Sequence, residues 1–283
     1  METSSQPEKL ELHIEIERED LSAVDWLGEH SNLSRQQIKQ AMQKGAVWLS
    51  HNKHTQRLRR ASRTLPLNDT LHLYYSARVL NETPALPVLI QDEQDFSVWY
   101  KPFGLRSQGS KWGDHCTITR CIETSLTPQR PVFLVHRLDR AASGLMLVAH
   151  SKKMAAILAE MFARRQVDKH YHVIVQGEFT SDKTVTFDAV VEDKQAISHA
   201  TRLANDADKQ RSLLEVKIET GRKHQIRRHL AGAGFPVVGD RLYAPEHDWQ
   251  EDLQLCACRL SFSHPINGTK CDVHLPDSLD IHI

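Results

Sequence analysis

The chain has 283 residues, 40% hydrophobic and 25% charged, the make-up of a globular protein with one large domain, or a catalytic domain and a small companion. Mean hydropathy is −0.47, and no apolar run approaches the ~18 residues that span a bilayer, so we expect no membrane association. The acidic N-terminus lacks the apolar stretch of a secretory signal, and five cysteines (Cys116, Cys121, Cys256, Cys258, Cys271) follow no framework spacing, so we expect free thiols and a reducing cytoplasm.

Lysine plus arginine (36) equals aspartate plus glutamate (36), which argues against a uniformly basic nucleic-acid binder until the charges are placed. The first 33 residues hold nine acids and two bases, whereas residues 34–64 hold eight bases (among them Arg57, Arg59 and Arg60) and no acid. A neutral total thus conceals a local basic field of the kind a polyanion feels, although a solvated charged face accounts for such a run equally well.

We read residues 1–20 as an acidic segment, 21–76 as a small domain, 77–91 as a linker marked by Pro84 and Pro87, and 92–283 as a mixed α and β domain. In the small domain, Ser34-Arg35-Gln36-Gln37 forms a capping box, with Leu33 and Ile38 placed for a hydrophobic staple. Met42 continues the apolar face, Gly45 ends the helix, and strands at 46–49 and 70–75 flank the basic run. This order loosely resembles the αL-type RNA-binding module of a small-subunit ribosomal protein and several RNA-modifying enzymes, with Trp48, Leu49 and His51-Asn52 replacing the usual strand and turn. The resemblance makes Arg57, Arg59 and Arg60 candidate RNA contacts.

Beyond the linker, strand-like runs fall at 96–100, 132–135, 145–149, 171–175, 184–190, 213–218 and 258–263, and residues 151–165 carry the i, i+3, i+4, i+7, i+8 pattern of a helix. Strands that outnumber helices and are joined by turns predict an α+β fold with a largely antiparallel mixed sheet and flanking helices.

Four segments could carry chemistry. The loop His136-Arg137-Leu138-Asp139-Arg140 lies between apolar strands and sets one carboxylate among cations, as either an ionised nucleophile or base, or a plain ion-pair network. In Gly221-Arg222-Lys223-His224-Gln225-Ile226-Arg227-Arg228, taking Ile226 and Leu230 as the buried stripe puts Arg227 about 100° from Ile226, beside the core, and turns Arg228 outward. Tyr171, Val173 and Val175 share one strand face, so Tyr171 is a core residue or a stacking surface for a base. His170 and His172 share the other face, but no third ligand follows at metal spacing, and we expect no metal. The fourth, Lys101-Pro102-Phe103-Gly104-Leu105, reads as a strand end running into a turn.

Together these strings resemble the RluA-type pseudouridine synthases. Lys101-Pro102-x-Gly104-Leu105, His136-Arg137-Leu138-Asp139 with Ser143-Gly144, Lys169-x-Tyr171 and Gly221-Arg222-x-His224-Gln225-Ile226-Arg227 occur in that family's order. Gly239-Asp240-Arg241-Leu242-Tyr243 and Arg259-Leu260-x-Phe262-x-His264-Pro265 continue the match, which covers roughly residues 95–276. The resemblance implies the pseudouridine synthase catalytic fold and an isomerase that breaks the N-glycosidic bond of an RNA uridine and rejoins the base through C5. It implies Asp139 as the catalytic carboxylate, attacking the nucleoside or removing a sugar proton. It also implies Tyr171 stacked on the base and assisting at C5, Arg227 keeping Asp139 charged, and Ile226 as an apolar wall.

A target base must leave its stack to be reached, and an aromatic pocket lowers that cost. His136, Arg137, Arg140, Arg222 and Arg228 are candidate contacts to RNA around the mouth. The net reaction moves neither electrons nor a phosphoryl group, so no cofactor is expected. The partner is RNA, with ribosomal and transfer RNA both open, and a monomer is expected. Two positions depart from the family: Ala142 where a threonine is common, and Cys256 where a histidine often stands. The competing reading is an RNA-binding protein that keeps the fold without turnover, and a metal hydrolase is a distant third. A binder has no use for a carboxylate facing phosphates, which favours the enzyme.

Overall fold

The computed structural model describes residues 7–83, 85–247 and 249–283. The first six residues of the acidic segment, and Pro84 of the linker, lie outside the described residues. The chain forms two units, one running up to Thr83 and also containing Gln108–Arg120, the other holding the rest. This differs from the sequence reading, in which 108–120 belongs to the larger domain.

The first unit contains β1 (Lys9–Glu15), α1 (Ala23–His30), α2 (Arg35–Gln43), β2 (Val47–His51), β3 (His54–Arg57), β4 (Thr70–Ser76) and α3 (Ala77–Leu80). Its antiparallel sheet has the order β1-β4-β2-β3. The stretch read as an acidic tail thus contains a strand, whose Leu10, Leu12 and Ile14 turn toward the core while Glu11, His13 and Glu15 face out. The Ser34 box forms as its spacing implies, and a second box at Ser22 and Asp25 starts α1. Leu27, Ile38, Met42, Leu49, Leu71 and Leu73 fill the core between helices and sheet.

Two of the candidate RNA arginines of this unit are engaged within it. Arg57 lies over the Trp48 ring (4.1 Å), reaches the Ser110 carbonyl (2.9 Å) and pairs with Asp114 (3.1 Å); Arg59 also pairs with Asp114 and bonds the Gln43 carbonyl (2.7 Å). Their role in the structure is to hold the 108–114 segment, and only Arg60 of the three is exposed.

The second unit contains β5 (Val88–Asp92), β6 (Phe96–Lys101), β7 (Phe133–Leu134), β8 (Ser143–Ala149), α5 (Lys152–Ala163), β9 (Asp168–Gln176), β10 (Val185–Val191), β11 (Lys194–Asp206), β12 (Arg211–Ile218), α6 (Gln225–Gly232), β13 (Leu255–Ser263) and β14 (Lys270–His274); α4 (Ile118–Ser125) spans the unit boundary. The expected linker therefore holds α3 and most of β5. The sheet has the order β10-β11-β12-β9-β13-β8-β6-β5, with β14 on β13 and β7 on β8. β8 and β13 run parallel and the other pairs antiparallel, the mixed, largely antiparallel α+β architecture expected.

β8 is buried along its whole length, as a near-continuous apolar run in a central strand must be. Met154, Leu158 and Met161 of α5 close the core over Leu145 and Leu147, each burial contributing roughly 1.5–3 kcal/mol. Gly144 lets β8 approach β13: it has φ 110°, and a Cβ there would stand 2.2 Å from the Ala257 nitrogen.

His136, expected among the RNA contacts, is tied into this core. Its Nε2 accepts the Leu147 amide (2.9 Å) and its ring stacks on Phe162 (centroids 4.4 Å apart). Burial, helped by nearby Lys169, pushes its pKa down to about 3. The ring therefore stays neutral.

Gly144→Ala should lower stability by about 2–4 kcal/mol in urea unfolding, because backbone cannot yield as a side chain does; an unchanged midpoint would contradict the close approach. Because the folded-state pKa of His136 lies below the unfolded ~6.5, the unfolded chain binds the extra proton between those values, and stability falls as pH drops from about 6.5 toward 3. His136→Gln, which can still accept the amide, should flatten that fall by up to one proton, about 1.4 kcal/mol per pH unit. An identical pH slope in the variant would contradict the burial argument.

Candidate active site

A cleft of about 350 Å³ opens in the second unit, within the range of ligand sites. Asp139, Tyr171, Arg227, Ile226, Arg137 and Arg222 all line it. Three of them come from distant stretches: Asp139 from the loop before β8, Tyr171 from the middle of β9, and Arg227 from the first turn of α6.

The Asp139 loop is clamped from below. The Ser107 hydroxyl donates to the Leu138 carbonyl (2.7 Å) and accepts the Leu138 amide (3.1 Å), pairing with that residue as a neighbouring strand would. The Gly104 amide donates to the Arg140 carbonyl (2.9 Å). Lys101 is fully buried, and its Nζ donates to the carbonyls of Pro102 (3.0 Å), Leu105 (2.9 Å) and Arg140 (3.4 Å). Burial lowers its pKa to about 7 against the pull of Asp139. The Lys101-Pro102 turn, read as a strand end, is thus the footing of the loop, and Ala142 leaves that footing intact.

Arg227 is 6% exposed and joins two carboxylates unequally. Its Nε and Nη2 form a two-pronged pair with Asp240 (2.7 and 2.6 Å), while Nη1 reaches Asp139 Oδ2 at 3.4 Å. Burial alone would raise the Asp240 pKa, but Arg227 and the amides of Leu242 and Tyr243 outweigh it and hold Asp240 below the usual carboxylate range. The same two carboxylates overcome burial at Arg227 and raise its pKa further. Asp240 follows Gly239, whose φ of 81° brings the turn against Asp252: a Cβ there would lie 2.3 Å from the Asp252 carbonyl oxygen.

Asp139 has a second cleft neighbour that the sequence reading left without a role. His224, held at φ 55°, puts Nε2 3.6 Å from Asp139 Oδ1, and its Nδ1 lies 2.9 Å from the Tyr243 hydroxyl. Arg228 Nε donates to that hydroxyl (2.8 Å), which leaves the phenol's proton for His224 Nδ1. A neutral imidazole there carries its hydrogen on Nε2, facing Asp139. Burial, against the pull of Asp139 and with the help of Arg227, Lys223 and Arg228, lowers the His224 pKa and favours that neutral form. A left-handed, non-glycine residue is strained, and such strain concentrates at working sites.

Tyr171 is 8% exposed, and burial, reinforced by Asp139, raises its phenol pKa, so it stays protonated. Cys256 faces a similar environment: burial pushes its thiol up to about 12, a packing group rather than a nucleophile. Of the expected RNA contacts, Arg137 is exposed at the cleft, and Arg222 lines it while bonding the Gln195 carbonyl (3.2 Å). Arg140 turns to the Gly104 carbonyl (3.2 Å), and Arg228 to Tyr243 and Glu192 (3.6 Å). Among the described residues, no group of three or more His, Cys, Asp or Glu is placed to hold a metal ion, and no helix is long and apolar enough to cross a membrane.

The profile of the RNA pseudouridylate synthase family matches residues 95–232, which include every residue of this cleft but one, Leu255. An uncharacterized RNA pseudouridine synthase of Mycobacterium bovis is 34% identical over 167 residues, 52% of this chain and 53% of that protein, so the chain matches about half of that relative's length. A tRNA pseudouridine synthase C of Yersinia pestis is 32% identical over 215 residues, 65% of this chain and 83% of the relative. The solved human RNA pseudouridylate synthase domain containing 1 shares the fold, with a TM-score of 0.58 and 23% identity over 70% of this chain and 89% of that one. The chain belongs to the RluA family of RNA pseudouridine synthases, isomerases that act on uridine in RNA.

Proposed function

We propose that this protein converts uridine in structured RNA to pseudouridine with Asp139 as its catalytic carboxylate. The observation that carries the reading is a carboxylate in a cleft with Arg227 Nη1 at 3.4 Å and Tyr171 on the same wall. The net reaction breaks N1–C1′, forms C5–C1′, and moves one hydrogen from C5 to N1, so it needs no external reactant. Asp139 serves as an anion, either as nucleophile or as acceptor of a sugar proton. Arg227 gives Asp139 a counter-charge at 3.4 Å, and Asp240 fixes the guanidinium so that it does not swing to meet solvent or phosphate.

Ile226 and Tyr171 give the extruded base an apolar edge and a ring face to replace the stack it leaves. The neutral His224, with hydrogen on Nε2, turns that hydrogen toward the second Asp139 oxygen, 3.6 Å away, without adding a charge. Arg137 and Arg222 meet the RNA backbone at the mouth. Transfer RNA is the first substrate class to test, because the Yersinia relative is named for it; ribosomal RNA is the second.

The reading is tested with RNA tritiated at uridine C5, isolated from cells lacking the protein. Wild-type protein should release tritium, and Asp139→Asn should release none while binding the RNA within about twofold of wild type. No release from any RNA fraction would reject the function, and near-normal release by Asp139→Asn would reject the residue. Asp240→Asn should lower kcat about 10–100-fold with little change in KM, since it loosens Arg227 without touching RNA. A purely raised KM would instead make Asp240 part of the binding surface.

A further inference from the structure

A second hollow, of about 400 Å³, adjoins the Asp139 cleft. Arg137, Tyr171, Ile218, Gly221 and Arg222 line both. The second hollow adds Lys169, Arg165 and the stacked His136–Phe162 wall. Glu219 is the one carboxylate lining it among the described residues, and that group is already held by His199 (2.8 Å) and faces Arg165 (3.9 Å). The hollow is therefore strongly cationic.

Lys169 is the residue this charge balance leaves open. It is half-buried, yet among the described residues its ammonium takes part in no hydrogen bond or ion pair, whereas Lys217, which stands opposite His170 on the neighbouring strand β12, pairs with Asp168 (2.9 Å). Burial, helped by Arg165 and only partly offset by Asp168, lowers its pKa, as expected for a cation drawn out of water without a hydrogen-bonded counter-ion. Its Nζ lies 3.8 Å from where a Cβ would stand on Gly221, a residue of the wall common to the two hollows. Lys169 and Tyr171 are two residues apart on one face of β9, hence about 7 Å apart. That separation is one nucleotide step along an extended strand.

We propose that this second hollow is a phosphodiester subsite, in which Lys169 holds the phosphate joining the extruded uridine to its neighbour in single-stranded RNA. The assignment rests on the pseudouridine synthase reading of the adjoining cleft. A uridine on Tyr171 carries a phosphate on each side, and Lys169 meets one of them at the mouth of the second hollow. Arg137 and Arg165 supply the surrounding field, and Lys169 supplies the contact that fixes which nucleotide enters.

The test uses the full chain and a fluorescent octauridylate whose affinity is followed across a salt series, beside tritium release from labelled cellular RNA. Lys169→Gln should flatten the plot of log affinity against log salt by about 0.7, the effect of one lost single-strand phosphate contact. It should also raise KM for RNA several-fold more than it lowers kcat, and Lys169→Arg should restore both. Lys217→Gln, which removes a lysine already paired with Asp168, should leave the slope unchanged. Lys169→Met, which keeps the aliphatic stem, replaces Lys169→Gln if that variant does not fold. A wild-type salt slope and KM in the folded variant, with tritium release intact, would overturn the subsite alone. Absence of tritium release by wild-type protein would overturn the isomerase reading on which it rests.

Discussion

A single guanidinium, shared between Asp240 and Asp139, is the interaction on which this site depends. An arginine 6% exposed requires neutralisation, and Asp240 provides it with two short, in-plane bonds. One Arg227 amino group is left for Asp139 at 3.4 Å. The unequal division matters: were Asp139 the principal partner, its oxygens would be locked away from substrate, and without Asp240 the cation would be free to follow a phosphate. The fold resolves this by giving the structural half of the pair to Asp240, in a turn that Gly239 brings against Asp252.

The other half of the geometry comes from the floor of the Asp139 loop. Lys101, Gly104 and Ser107 supply donors to carbonyls that a loop would otherwise turn to water, so the loop behaves as an extension of the sheet. Gly144 then admits β13 at close range behind it. In the proposed reading, a carboxylate placed this way would lose little freedom when RNA arrives, and preorganised charge of this kind is what stabilises a developing opposite charge in a reaction.

Much of this was legible in the sequence. The unbroken apolar run of β8, the 3.6-residue pattern of α5 and the Ile226–Leu230 stripe of α6 report burial directly, and the stripe places Arg227 inward and Arg228 outward as found. β11 was missed because its inward positions, Ala196, Ser198 and Ala200, are small or polar and carry almost no hydrophobic period. β1 lay under a count of acids, although Leu10, Leu12 and Ile14 alternate as a strand requires. Asp240 and His224 stood inside quoted motifs, but which carboxylate an arginine prefers is a property of three-dimensional approach. The same is true of Arg57 and Arg59, whose charge suggested RNA while Asp114, more than fifty residues away, holds both.

The central claim, that a cation-held carboxylate at position 139 drives uridine isomerisation, is met most directly by chemical mapping of pseudouridine in RNA from cells lacking the protein. The RNA is treated with purified wild-type protein or with Asp139→Ala. The account predicts that wild-type protein creates pseudouridine at one or a few defined positions and that the variant creates none. New pseudouridines at the same positions with the variant, or none with either protein, would contradict it.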